Sequence, residues 1–413
     1  MTWDVDYLRD NRDENMGFLS KTLLPDGTEI PGTNFDYNYL QHRKVDVVSS
    51  ALDFILPFEK YKITAGAKVS FTNTRNGINY DTSDPTLVQD DYFRYKEQIY
   101  ALYADYSREF SERFSMQLGL RMEHTRTTGI SEAKDTEDKH DYTRLFPTVY
   151  LLYSPTDGHA LNFSFSNRIS RPSQNMVNPF PFYQNKYTYA CGREDLKPSY
   201  TYNAELGYTL KNNFNVSAYY SYSDDVFFQV VDLDAETNVT SFLWENFMQT
   251  HAFGLNNSYT FRTKWLQAYA QHGVSYRRTT SSAATTSPEE KGWAYDASLR
   301  NTFFFNEKKT LLATLSGSYS SRQYQGIYLM SPTYSVSAGM LYRLLDNKLN
   351  LSLNVNNLFV SHSKLETMSN GLKIIADNQF SFTSFRIGVS YTFGGDIRSK
   401  GQRNSNEDIQ RRL

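Results

Sequence analysis

The chain has 413 residues and a net charge of −2, which excludes a nucleic-acid partner bound through bulk positive charge. No run of roughly 18 apolar residues occurs, which excludes a transmembrane helix. The chain contains 32 Tyr and 28 Phe although its mean hydropathy is −0.59. This combination is typical of membrane β-barrels, in which only alternate residues meet lipid and aromatic girdles lie at both interfaces.

The N-terminal segment 1–6 has neither the basic region nor the apolar region of a signal peptide. The single cysteine, Cys191, cannot form an internal disulfide, and so low a cysteine content suits a protein exported through an oxidising compartment. Because an exported protein needs a targeting segment, we expect residues upstream of Met1 in the complete protein.

Strict alternation of apolar and polar residues predicts β-strands along the chain. The clearest examples, in chain order, are 63–72, 116–123, 202–210, 349–356 and 385–393. Each has one apolar face, and its other face carries polar, charged or glycine residues. Soluble strands average about five or six residues, whereas these lengths are closer to the roughly 9–11 that cross a bilayer obliquely.

About sixteen strands can be counted, and their connections alternate between short and long. The short connections are 59–60, 111–112, 155–158, 212–213, 262–264, 306–308 and 346–348. The long segments are about 9–43, 73–92, 125–141, 169–199, 224–248, 278–291, 321–332 and 361–379. Tight periplasmic turns and long extracellular loops produce this pattern in a membrane barrel, whereas a soluble β-protein has no reason to place every long loop on one side. We predict an all-β, antiparallel up-and-down transmembrane barrel over 1–393.

The polar segment 394–413 follows the last predicted strand. An even strand count with periplasmic turns places both chain ends in the periplasm, so 394–413 is predicted to be a polar periplasmic tail. The apolar face of the last strand comprises Phe385, Ile387, Val389, Tyr391 and Phe393. We expect the barrel-assembly machinery of the outer membrane to recognise such a strand by strand pairing, although ordinary lipid contact would require the same residues.

The sequence contains no pattern typical of a catalytic or metal site. Its seven histidines are scattered, and it has no Gly-x-Ser-x-Gly elbow. The pair Asp224-Asp225 would suit calcium binding or a protease at the barrel rim, but a solvated acid pair is the favoured interpretation. We therefore predict that the chain is not an enzyme and has no cofactor and no resident metal.

Two features near the segment 169–199 are compatible with ligand binding. Arg168 and Arg171 could attract an anion, and the alternative is an ion pair at the rim or in the lumen. Aromatic residues cluster in the same segment, at Phe180, Phe182, Tyr183, Tyr187 and Tyr189. These rings could stack on a sugar or grip an apolar ligand, and the alternative is packing against neighbouring loops.

Four motifs, at 168–180, 192–198, 356–359 and 389–395, resemble segments of TonB-dependent-receptor barrels in their order and spacing. The second is similar to the family's strand entry G-N-x-x-L-K-P-E, and the third to its N-L-F box. The motif positions are Arg171, Pro172, Asn178, Pro179, Gly192, Leu196, Lys197, Pro198, Asn357, Leu358 and Phe359. The resemblance covers essentially the whole chain and implies an integral protein of the bacterial outer membrane.

The chain departs from the family at Arg193, where Asn is common, and at Ser199, where Glu is common. Such receptors have about twenty-two strands and a plugged lumen. The resemblance therefore implies a C-terminal barrel portion that lacks the plug, the TonB box and roughly six strands. The implied partners are membrane lipid, the barrel-assembly machinery, an unidentified small ligand, and the TonB system only through the missing plug.

The predicted function is that of an outer-membrane receptor or transporter for an unidentified ligand. Sugar, siderophore, peptide and cobalamin all stay open, and the sequence assigns no ligand-binding residue. The alternative is a stand-alone passive porin or adhesion barrel of about sixteen strands. An outer-membrane enzyme and a soluble carbohydrate-binding β-protein are less favoured, the first because no converging His, acid and Ser set can be assembled.

Overall fold

The computed structural model describes residues 1–31, 33–82, 90–378, 382–393 and 407–412. The strands are β1 (Thr2–Ser20), β2 (Phe35–Pro57), β3 (Tyr61–Thr82), β4 (Asp91–Ser111), β5 (Phe114–Ser131), β6 (Thr136–Tyr153), β7 (His159–Ser170), β8 (Pro181–Asn185), β9 (Thr188–Cys191), β10 (Ser199–Leu210), β11 (Phe214–Asp234), β12 (Val239–Arg262), β13 (Leu266–Ser281), β14 (Glu289–Phe304), β15 (Leu311–Ser320), β16 (Gln323–Gln325), β17 (Tyr328–Met330), β18 (Thr333–Leu344), β19 (Leu349–Val360), β20 (Ser363–Ser369), β21 (Leu372–Asn378) and β22 (Ser384–Tyr391). The helices are α1 (Gln174–Val177) and α2 (Glu407–Gln410). Within these ranges, no helix is both long enough and apolar enough to cross a bilayer.

Sixteen of the strands form one antiparallel meander. The strands β1 to β7 pair in sequence, β7 pairs with β10, and the order continues through β11, β12, β13, β14, β15, β18 and β19 to β22. The hairpin β8–β9 joins this sheet where β9 pairs in parallel with β12, and β16, β17, β20 and β21 form a separate four-stranded sheet. The all-β antiparallel architecture and the strand number predicted from the sequence are confirmed.

The meander is open in the part of the chain that the structure describes, because no pairing there joins β1 to β22. Both edge strands carry apolar side chains that are 60% or more exposed, including Trp3 and Val5 on β1 and Ile387 and Val389 on β22. Open sheet edges are not stable in contact with lipid. Two such edges therefore need a partner in the membrane.

The alternating apolar residues share one face of the sheet. Leu353 pairs with Met340 on one side and with Ile387 on the other, and it is 44% exposed. Leu120 pairs with Ala104 in the same way and is 51% exposed. An apolar outward face is what lipid contact requires, and it agrees with the period of two in the sequence.

The opposite face, called the interior face below, is not uniformly polar. On β2 it carries the polar Gln41, Arg43 and Asp53, but also Tyr37 and Val45, and all five are at least nine-tenths buried. Polar residues therefore line only part of this face. The apolar exceptions are covered by chain segments that fold onto them.

Seven tight turns lie at one end of the sheet, close to their predicted positions, at 58–60, 112–113, 154–158, 211–213, 263–265, 305–310 and 345–348. At the other end, several predicted long loops are continuations of the strands. The segment 125–141 is a hairpin with a turn at 132–135, and 224–248 is a hairpin with a turn at 235–238. The strands reach 24 residues, well beyond the roughly 9–11 that cross a bilayer, so these hairpins project from it.

Candidate functional site

The segment 171–198, called the bridging segment below, connects β7 to β10 and crosses the interior of the sheet. At one wall, the hydroxyl of Tyr37 on β2 donates a hydrogen bond of 3.0 Å to the carbonyl of Pro181. At the other wall, Thr188–Cys191 pairs with β12. Seven strands of the meander separate β2 from β12. One segment therefore ties two distant parts of the wall together across the interior.

An aromatic cluster holds the bridging segment on the interior face. Tyr183 packs edge-on against Tyr37 with ring centroids 4.8 Å apart, and Phe182 packs edge-on against Tyr39 at 5.8 Å. Phe180 is 2% exposed in the same cluster. Such aromatic pairs contribute about 0.5–1.5 kcal/mol each beyond their burial. Of the two interpretations of the aromatic-rich segment, packing describes Phe180 and Tyr183, whereas Phe182 also lines a cavity.

Gly192 is required by the close approach of two backbone stretches inside the bridging segment. A Cβ atom at this position would lie 2.2 Å from the carbonyl oxygen of Asn178 and 2.6 Å from that of Met176. The same stretches are joined by a hydrogen bond of 2.8 Å from the Arg193 amide to the Met176 carbonyl. Nearby, Leu196 is 5% exposed in the aromatic cluster. These motif positions thus fold the segment, and a part for them in ligand binding stays a prediction.

The third motif lies at a bulge in β19. Asn357 has a φ of 55°, and the pairing with β18 shifts register between Val336 and Ala338. Asn adopts this left-handed conformation more readily than most residues, which explains why it suits the bulge. Phe359 is 66% exposed just beyond it.

The last strand, β22, ends at Tyr391, two residues before the predicted end. Its recognition by the assembly machinery stays a prediction.

A buried ion-pair network lies at the foot of the bridging segment. The guanidinium of Arg171 donates to Glu123 at 2.6 Å and to the Thr125 hydroxyl at 3.2 Å. Glu123 also accepts a hydrogen bond of 2.6 Å from Arg121, and Arg171 Nε lies 3.9 Å from Glu97. The side chains of Arg171, Glu123 and Glu97 are 10%, 8% and 3% exposed. Charges this deeply buried are retained in proteins only when they are paired.

The described end of the polar tail reaches the same network. Arg412 donates two hydrogen bonds to Glu97, at 3.1 and 2.8 Å, and Ile409 is 1% exposed against Val45 and Val47. Ile409 and Arg412 therefore contact the interior face of β2 and β4. The rest of the tail, 394–406 and 413, lies outside the described residues. A periplasmic tail stays a prediction.

Sequence reasoning paired Arg168 with Arg171, but the structure separates them. Arg168 is exposed and lines a cavity that Arg121 and Glu123 also border, whereas Arg171 is buried and pairs with Glu123. Asp224 accepts a hydrogen bond of 2.9 Å from the Gln249 amide. The described ranges contain no group of three His, Cys, Asp or Glu side chains that could hold a metal ion.

Sequence reasoning missed Glu97 and Glu123 as members of this site. The only available signal was a full negative charge in the middle of a strand. Period-two alternation assigns such a charge to the interior face, but it does not reveal a partner that is distant along the chain.

Ionisation near β9 is set by burial and by one ion pair. Burial raises the pKa of the Cys191 thiol to about 11, against a smaller lowering by Lys134. Burial opposes the ionisation of Asp195, yet hydrogen bonds of 2.6 and 2.9 Å from Arg193 hold its pKa below its ordinary value. At neutral pH the thiol is therefore uncharged, whereas Asp195 and Arg193 form a charged pair.

An antiparallel meander of long strands, with an apolar outward face and a polar network inside, defines a transmembrane β-barrel protein. The model of the outer membrane protein beta-barrel family matches residues 1–391. The chain belongs to this family and is an integral protein of the bacterial outer membrane. A search of curated proteins found no match to it.

Several solved structures share the fold. The chain is similar to the copper transporter OprC, with 12% identity and a TM-score of 0.61 over 93% of this chain and 65% of that one. It is similar to the ferric citrate transporter FecA, with 12% identity and a TM-score of 0.56 over 93% and 62%. It is also similar to the ferripyoverdine receptor of Pseudomonas aeruginosa, with 16% identity and a TM-score of 0.57 over 94% and 54%. The chain thus spans between half and two-thirds of the length of these receptors and transporters.

Proposed function

We propose that the chain forms the barrel wall of an outer-membrane receptor that takes up a small ligand. The observation that carries this proposal is the bridging segment, which ties β2 to β12 across the interior. A passive porin needs a water-filled interior, whereas a receptor needs inward-folded chain that can hold a ligand. The shared fold with receptors and transporters agrees with the proposal, and we propose no enzymatic activity.

Energy-coupled uptake through the TonB system would require a plug, which we propose is supplied outside this chain. The free edges of β1 and β22 support a wider barrel in which further strands complete the ring. Membrane lipid on the outward face and the assembly machinery at β22 complete the proposed set of partners. Reading the genomic sequence upstream of the Met1 codon tests this part. An in-frame signal peptide and plug would support it, and a stop codon immediately before Met1 would contradict it.

The passive porin is the alternative, and electrical conductance distinguishes the two. The protein, expressed with any strands encoded upstream of Met1, would be purified and inserted into planar lipid bilayers beside a variant in which a Gly-Ser linker replaces 174–195. A matched control would replace the projecting turn 235–238 in the same way. Migration of unheated samples in detergent gels would establish that each protein has folded.

The receptor proposal predicts a low steady conductance for the natural chain and the control, and a several-fold larger one for the variant without 174–195. The physical reason is that this segment occupies the interior. Equal, large conductances for all three proteins would contradict the receptor proposal and favour the porin.

A further inference from the structure

A cavity of about 300 Å³ lies where the bridging segment meets both walls. Its lining comes from β1, β2, α1, the β8–β9 hairpin and β12, so it exists only because the segment crosses the interior. Its volume is at the lower end of the range of small-molecule sites, about 300–1,000 Å³. The residues that determine its chemistry are Arg12, Glu14, Tyr39, Arg43, Phe182 and Trp244.

Arg43 supplies a buried positive charge to this cavity. Its side chain is 6% exposed, and its two hydrogen bonds to described residues are long: 3.3 Å to Asn175 Oδ1 and 3.4 Å to Asp10 Oδ2. Its Nε atom is buried and has no hydrogen-bond acceptor among the residues that the structure describes. Asp10 is 32% exposed, and its ion pair with the guanidinium is long at 3.4 Å. A buried guanidinium with an unused donor is best satisfied by a bidentate anion.

The other charges of the cavity do not oppose an anion. Arg12 and Glu14 are both about half exposed and lie 3.9 Å apart, so their charges largely cancel. The Cys191 thiol, which also lines the cavity, is uncharged at neutral pH because burial raises its pKa to about 11. Arg43 therefore supplies the dominant charge in the buried part of the cavity lining.

Aromatic rings form the remainder of the wall. Tyr39 and Phe182 pack edge-on at 5.8 Å, and Trp244 lines the cavity from β12. Flat aromatic walls favour a ligand with a planar apolar body, since ring faces and edges pack closely against it. A ring beside one anionic group would satisfy both parts of the lining together.

We infer that this cavity binds a small aromatic carboxylate, with the carboxylate on Arg43 and the ring between Phe182 and Trp244. The inference deepens the proposed receptor function and rests on that function for its biological role. It names the substrate class, a carboxylate beside a planar ring, that this cavity would take.

The test measures binding to the purified full chain in detergent. The probe is 3-phenylpropionate, and its neutral amide, 3-phenylpropionamide, is the matched ligand control. Saturation-transfer NMR would report binding in the millimolar range that suits so small a probe. The variants are Arg43→Gln, Trp244→Leu and, as a control on the exposed part of β3, Arg75→Gln.

We expect the natural chain and Arg75→Gln to bind the acid about tenfold or more tightly than the amide. Arg43→Gln should remove this preference, and Trp244→Leu should weaken both probes to a similar degree. Equal affinities for the acid and the amide in the natural chain would overturn the inference. So would a failure of the acid to bind at about 10 mM. Trp244→Leu leaves Arg43 intact and should keep the preference for the acid over the amide. Loss of this preference in Arg43→Gln alone would therefore show anion recognition and not misfolding. Binding to the purified chain without uptake in cells would contradict the receptor proposal and still support this binding site.

Discussion

Arg171 and Glu123 form an ion pair of 2.6 Å between the start of the bridging segment and the middle of β5, and both side chains are at least nine-tenths buried. The pair ties a segment that the sequence identifies as a family motif to a wall strand that no motif identifies. It therefore links the folding of the bridging segment to the assembled wall.

Replacing Arg171 with Ala should destabilise the protein by about 1.5–3 kcal/mol, because Glu123 and Glu97 each lose one of their two cationic neighbours. The measurement is the urea midpoint of the purified protein in lipid vesicles. Arg168→Ala is the matched control, since Arg168 is exposed three residues away, and it should change stability by less than about 0.5 kcal/mol. Similar midpoints for both variants would contradict a stabilising role for the Arg171–Glu123 pair.

The assignment of the two faces predicts opposite outcomes for neighbouring substitutions in β19. Leu353→Arg places a charge on the outward face and should cost about 2–4 kcal/mol at mid-depth, which would abolish assembly. Asn354→Arg points to the interior and should be tolerated. The fraction of protein that folds, read from the mobility of unheated samples in detergent gels, checks this. If both variants fold equally well, the assignment of the faces is wrong.

Gly192→Ala should loosen the bridging segment, because the new Cβ would overlap two carbonyl oxygens. Overpacking of this kind costs about 1–3 kcal/mol. Trypsin cleavage after the exposed Lys186 should become faster. Gly77→Ala is the control, since its nearest neighbour is Tyr92 Cδ2 at an ordinary 3.6 Å, and it should leave the cleavage rate unchanged. An unchanged rate in Gly192→Ala would argue against the close approach.

The contact between Glu97 and Arg412 predicts non-additive effects. Glu97→Gln and Arg412→Gln should each speed trypsin cleavage after Arg411, because each removes one charge of the same ion pair. The double variant should be no faster than the faster single variant, as expected for residues that act on one pair. Glu112→Gln, in an exposed turn, is the control. Additive rates in the double variant would mean that the two side chains act separately.

The raised pKa of Cys191 predicts slow alkylation at neutral pH. Only the thiolate reacts, and with a pKa of about 11 its fraction rises about tenfold per pH unit from pH 7 to pH 10. The rate of iodoacetamide labelling, followed by mass spectrometry, should therefore still be climbing at pH 10. A plateau near pH 9 would show that the thiol is not buried as described.

The local sequence pattern was enough to predict the strands of the wall and the two faces of the sheet. Period-two alternation is a property of one strand and its pleat, so Leu353 and Asn354 could be assigned to opposite faces without knowing their neighbours. Tight turns are equally local, which is why the seven at one end were placed correctly and the sixteen-stranded meander could be counted. Alternation continues unchanged where a strand leaves the membrane, and for that reason projecting hairpins such as 125–141 were mistaken for loops.

The interior was decided only by tertiary structure. Tyr39 and Trp244 line one cavity, and Glu97 and Arg412 form one ion pair, although each pair is far apart in the chain. No periodicity encodes such meetings, because they depend on how the bridging segment crosses the sheet and on which side chains it covers. The sequence by itself determined a membrane-spanning sheet and its two faces. The fold alone decided which charges are buried together and where a ligand could be held, because burial and pairing are properties of the assembled wall.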